Sequence, residues 1–156
     1  MEIAADDAAA AAGGRRAVAR PDRLDLERLV RGSGEAWQQA AGRRGGRVTF
    51  DWRAGAASVQ ADRRRLAQAF GNLLANAVEH GGGEIVVRSR PANGGIRVEV
   101  EDRGTAARGR VRPPGRGRGI AIATRALEQA GGRLASFDRP GGGRVAVAEL
   151  PVEPRR

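Results

Sequence analysis

Along this chain, segments with strand-type alternation come in adjacent pairs, and a segment with helical periodicity stands before each pair. That order is the strongest limit on the fold. Asp25 can cap a helix bearing Leu26, Leu29, Val30 and Trp37, although Gly32 and Gly34 weaken its middle. Arg47 to Trp52 and Ser58 to Gln60 follow as two extended pieces. A longer helix opens at Asp62 and runs to about Glu79, with Leu66, Phe70, Leu73, Leu74, Ala77 and Val78 on one face, and Gly81-Gly82-Gly83 stops it. Glu84 to Arg90 and Ile96 to Glu101 read as strands joined by the turn Pro91-Ala92-Asn93-Gly94-Gly95. After an aperiodic run from Arg103 to Arg118, a helix spans Gly119 to about Gly131, and strands at Arg133 to Asp138 and Arg144 to Leu150 end the pattern. Strict strand–helix alternation, which a doubly wound fold needs, is absent. The order predicts an α+β two-layer sandwich, with a mixed, mostly antiparallel sheet covered on one face by about three helices. Residues 1–20 read as a disordered lead or linker, 21–151 as the folded domain and 152–156 as a tail.

Composition removes several function classes. The 156 residues are 40% hydrophobic and 29% charged, which suits a globular chain. There is no cysteine, so disulfides, thiol catalysis and thiolate metal sites are excluded, and a single histidine excludes a His-pair metal site. No stretch approaches the roughly 20 apolar residues of a membrane-spanning helix. The acidic start MEIAADDAAAAAGG lacks the positive charge of a signal peptide, so a cytoplasmic location is expected. A formal net charge of +10 raises nucleic acid as a partner. Every one of the 28 basic residues is arginine, however, which points to a compositional bias, and 3% aromatics with no tyrosine leave poor stacking platforms. Nucleic acid is therefore not expected as a partner.

Three places carry candidate chemistry. Asn72, Asn76 and Glu79 fall at i, i+4 and i+7 on the polar side of the long helix. They read either as a solvated face or as a polar stripe for a metal–phosphate, since amide oxygens are hard neutral ligands suited to Mg²⁺. Glu101-Asp102-Arg103-Gly104 closes a strand, as an ordinary turn or as a carboxylate at the sheet edge able to accept from the exocyclic amine of adenine. Gly115-Arg116-Gly117-Arg118-Gly119-Ile120 immediately precedes a helix, where alternate glycines let backbone N–H groups approach an anion. A glycine triplet by itself is a weak signal, and this one matches neither the Walker pattern nor a dinucleotide fingerprint.

Taken in order, the three are more specific. GNLLANAVEHG at 71–81 resembles the asparagine box of sensor histidine kinases, EDRG at 101–104 their first glycine box, and GRGRGI at 115–120 their second. The resemblance covers about residues 24–151 and implies the catalytic ATP-binding domain of that family, in the superfamily that includes gyrase, Hsp90-type chaperones and MutL. It implies a Bergerat-type fold with ATP held between the helices and a lid. By resemblance, Asn76 would coordinate the Mg²⁺ that bridges the phosphates, with Asn72 supporting phosphate or metal. Asp102 would take the adenine amine and Gly104 would admit the base. Gly115, Gly117 and Gly119 would present amides to the phosphates, with Arg116 and Arg118 beside them. A phosphoacceptor histidine domain and then a response regulator would be the partners, and the chain would be cytoplasmic even as the cytosolic end of a membrane-anchored sensor.

The sequence also departs from the family pattern. Glu79 stands where a basic residue is frequent, Ala106 replaces the second glycine of D-x-G-x-G, and the segment between the glycine boxes is short. That segment and its ends carry Arg103, Arg108, Arg110, Arg112, Arg116 and Arg118 with no acid, either to neutralise a triphosphate or as a solvated loop. A degenerate nucleotide-binding or regulatory module without turnover is the alternative reading. His80, the one histidine, is expected to serve in packing or hydrogen bonding at the helix end rather than as a phosphoacceptor.

Overall fold

The computed structural model describes residues 20–81, 84–103 and 118–153. In chain order these form β1 (Asp22–Asp25), α1 (Leu26–Arg43), β2 (Val48–Trp52), β3 (Ser58–Ala61), α2 (Arg63–Gly81), β4 (Ile85–Ala92), β5 (Gly95–Asp102), α3 (Arg118–Gln129), β6 (Arg133–Asp138) and β7 (Arg144–Pro151). Both long helices start where an acid can cap them. The Asp25 carboxylate accepts from the Arg28 N–H at 3.1 Å, and the Asp62 carboxylate from the Arg65 N–H at 3.1 Å.

Five strands make one sheet in the order β2-β4-β5-β7-β6, antiparallel throughout except for the parallel pair β2–β4. The three helices lie on one face, and α2 is the middle of that layer, packed against both α1 and α3. Alternation sorts each strand between two faces. Ile85 and Val87 of β4 and Ile96, Val98 and Val100 of β5 turn to the helices and are buried with Leu66, Phe70, Leu73 and Leu74 of α2. Arg88, Arg90, Arg97, Glu99 and Glu101 turn the other way, and Arg88 pairs across the strands with Glu101 at 2.7 Å and Arg90 with Glu99 at 3.6 Å, while Arg97 pairs along β5 with Glu99 at 2.9 Å. The predicted α+β sandwich, with three helices on one face of a mixed, mostly antiparallel sheet, is the observed architecture.

Four local expectations change. The two extended pieces after α1 do not pair with each other. Buried Ser89 on β4 accepts from the backbone N–H of both Arg53 and Ala54, which turns the chain out of the sheet after β2. β3 then pairs antiparallel with β1 in a separate two-stranded sheet, where Leu24 and Val59 are opposite and both buried. β1 itself was not anticipated, because DRLD offers one apolar residue and no alternation. The turn expected over 91–95 shrinks to Asn93-Gly94, both with left-handed φ (43° and 76°), which is the two-residue geometry that matches strand twist. Finally, Asp102 is not at a sheet edge. β5 is the central strand of five, so the carboxylate sits at the end of the sheet's middle. At the far end of the chain, Val152 packs on the core and the Glu153 N–H donates to the Ser58 carbonyl at 2.8 Å.

Candidate functional site

Glu101 and Asp102 end β5 side by side, and alternation sends them to opposite faces. Both are 4% exposed. Glu101 receives three arginines on the open face: Arg88 at 2.7 Å, Arg139 at 2.9 Å and Arg103 at 3.0 Å. Arg139 belongs to the β6–β7 turn, so this ion cluster pins the turn to the end of β5. Asp102 points into the helix layer, and its carboxylate lies directly against Gly81, the last residue of α2.

From there α2 runs back along the site. Asn76 and Asn72 are half-buried on one side of the helix, whereas Glu79 is exposed. The two asparagines are therefore neither a freely solvated face nor part of the core. At 1.5 Å per residue, Asn76 stands roughly 7.5 Å and Asn72 roughly 14 Å up the axis from Gly81. At that upper end the Asn72 amide donates to the Gly119 carbonyl at 3.2 Å, tying α2 to the first turn of α3. This contact uses the amide's NH₂ group, so it does not consume the oxygen that a cation would need. The resulting strip begins at a buried carboxylate, passes two amides and ends at a helix N-terminus. An extended nucleotide has the same order of needs: a donor edge to be accepted, a cation to be ligated and phosphates to be neutralised. The Asn76 amide, half-buried and one turn from Asn72, fits a hard cation carried in on phosphates.

The fold thus brings together Asn72 and Gly119, and sets Asp102 and Asn76 along the same helix. Arg118 opens α3 and is exposed. Gly119 has no neighbour that demands a glycine, since an added Cβ would meet the Asn72 Cβ at an ordinary 3.7 Å. Gly104, Gly115, Arg116 and Gly117 lie outside the described residues. Sequence reasoning did not single out Gly81, which it took as a helix stop and the last residue of the asparagine box, or find the β6–β7 turn against β5. The signal for the turn was Gly141-Gly142-Gly143, all three with positive φ. On the open face Asp51 and Arg53 stand side by side. There the Arg53 guanidinium hydrogen-bonded to Asp51 holds that carboxyl below the usual carboxylate range, against a smaller opposing effect of desolvation, and Asp51 in turn raises Arg53.

Residues 61–154, more than half of the chain, match the family described as histidine kinase-, DNA gyrase B- and HSP90-like ATPase. Signal transduction histidine-protein kinase AfsQ2 of Streptomyces coelicolor is 31% identical over 109 residues, covering 60% of this chain, which spans about 20% of that protein's length. Among solved structures, the catalytic domain of histidine kinase ThkA superposes with a TM-score of 0.71 at 23% identity, covering 84% of this chain and 95% of that one. Full-length ShkA, solved in complex with AMPPNP, gives a TM-score of 0.71 at 25% identity over 85% of this chain and 31% of its own. The mycobacterial sensor histidine kinase MprB gives 0.69 at 24% identity, covering 86% of this chain and 99% of that one. The chain belongs to the family of histidine kinase-, DNA gyrase B- and HSP90-like ATPases.

Proposed function

We propose that this domain holds Mg²⁺–ATP along α2 and presents its γ-phosphoryl group to a histidine on another domain or protein, from which a response regulator is then phosphorylated. The observation that carries the reading is the buried Asp102 carboxylate at the end of the central strand, at the foot of the strip formed by Asn76, Asn72 and the start of α3. Asp102 accepts from the adenine amine, a contact that a neutral amide would make more weakly. Asn76 ligates the Mg²⁺, Asn72 holds the start of α3 in place beside the phosphates, and the amides and arginines of 115–119 neutralise them. Bound there, Mg²⁺ supplies charge compensation for the phosphates. The binding of AMPPNP by full-length ShkA supports the nucleotide class. Catalysis of phosphoryl transfer is largely positioning, and a histidine must reach in line with the leaving oxygen. His80 is rooted in the same helix as Asn72 and Asn76, as part of the wall, so it is not the acceptor.

Calorimetry and transfer assays test this in two steps. Asp102→Asn should cost roughly 1.5–3 kcal/mol of ATP affinity, or about 10- to 150-fold, and Asn76→Ala should lower affinity only when Mg²⁺ is present. Equal ATP affinity in the wild type and both variants would remove the site assignment. Labelled ATP should then give acid-labile phosphate on a supplied family phosphoacceptor domain and none on His80. Tight ATP binding with no transfer to any such domain would favour a regulatory module that has kept the fold without turnover.

A further inference from the structure

Gly81 is helical and does not have the positive φ that would call for glycine, yet it occupies a position where almost any other residue makes a better helix. What its missing side chain provides is room. A Cβ at Gly81 would overlap Cγ and both oxygens of Asp102, at separations no nonbonded heavy atoms adopt. We propose that Gly81 is a positioning residue for nucleobase specificity: by lacking a side chain, it lets the Asp102 carboxylate lie back against the end of α2, aimed at the amine of an adenine ring. The inference rests on the reading of Asp102 given above.

A second glycine fixes the same residue from behind. Gly143, with φ of 85°, passes so close that a Cβ there would overlap the Asp102 carbonyl oxygen. The turn that carries Gly143 is held in place by the Arg139–Glu101 ion pair at 2.9 Å. The Asp102 backbone therefore has little freedom to follow a displaced side chain. A short side chain with staggered χ1 wells cannot drift out of an overlap by small steps, so its carboxylate must hop to another well. The base-recognition consequence is specific. Adenine presents an amine where guanine presents the O6 acceptor. A correctly aimed carboxylate therefore favours ATP and repels GTP, and a displaced one does neither.

The test uses the full chain and measures affinities for Mg²⁺–ATP, Mg²⁺–GTP and Mg²⁺–tripolyphosphate in the wild type, Gly81→Ala, Asp102→Asn and the double variant. Gly81→Ala should lower ATP affinity about 10- to 150-fold. It should reduce the ATP-over-GTP preference by a similar factor and leave tripolyphosphate affinity unchanged. The double variant should bind ATP no more weakly than Asp102→Asn. The inference is overturned if Gly81→Ala keeps the wild-type preference while Asp102→Asn loses it, or if the two losses multiply. If Asp102→Asn itself keeps wild-type affinity and preference, the underlying reading of Asp102 fails instead. Should Gly81→Ala not fold, thermal unfolding of Gly81→Ala/Asp102→Ala decides. Recovery of the Asp102→Ala melting temperature supports the close approach, and failure to recover overturns it.

Discussion

Two neighbouring carboxylates, Glu101 and Asp102, have equal burial and different work. The three arginines around Glu101 are only partly buried, with side-chain exposures of 32%, 42% and 29% for Arg88, Arg103 and Arg139, so water can reclaim much of their charge when the acid is removed. Glu101→Ala is therefore expected to cost about 1–3 kcal/mol rather than the full penalty of a stranded buried ion. Urea unfolding would check this, and a loss below 0.5 kcal/mol on that same scale would show the cluster to be idle. At this scale the sequence marks out Glu101-Asp102-Arg103-Gly104 as a candidate, because an acid leaving a strand ahead of a glycine offers a carboxylate with room beside the backbone. It does not say which acid faces the ligand. That depends on the register against β4 and β7, and a shift of one residue exchanges the faces. Gly81 stays illegible for a similar reason, since a glycine needed for a neighbour about five times further along the chain than its i,i+4 helical contacts looks the same as a glycine that ends a helix.

At the scale of elements, long periodic segments are legible and short or cross-chain relations are not. The apolar face of α2 repeats often enough to fix its type and inward side, and both capping acids are visible. β1, with one apolar residue, leaves no pattern, and nothing local to β2 reveals that its neighbour is β4 rather than β3. Gly34 in α1 reads as a weakness in a helix, but the ring of Phe50 occupies the space its side chain would need. The hydrogen bond from the Asn72 amide to Gly119, which ties α2 to the start of α3, is also hidden until the fold closes. Asn72→Ala should loosen that junction, lowering stability by about 0.5–1.5 kcal/mol. Amide exchange in residues 118–122 should accelerate more than elsewhere. Unchanged exchange there would mean that packing of Ala123 and Leu127, not the asparagine, holds α3.

For the molecule as a whole, the helix layer takes one face of the sheet and a lattice of paired charges the other, so the sheet ends laterally at β2 and β6. The two-layer plan follows from element order alone, whereas the pairing of β5 with β7 across α3 could not be read, because strands so far apart in sequence share no local signal. The exposed outer strand has its own consequence, which concerns the behaviour of many copies rather than one. Among the described residues β6 is an outer strand paired on one side only, with β7, and it carries Phe137 at 57% exposure. An open edge with an aromatic on it is a template for the edge of a second molecule. Arg133 and Asp138 bracket the strand, drawn inward onto Glu149 and Arg144 at 2.7 and 3.0 Å, so an approaching strand must strip water from a charged pair at each end. Replacing both with threonine should leave the monomer's circular dichroism unchanged but raise light scattering in concentrated solution, with the excess suppressed by a further Phe137→Lys. The brackets that contribute little to holding one chain together are then what keeps a crowd of such chains apart.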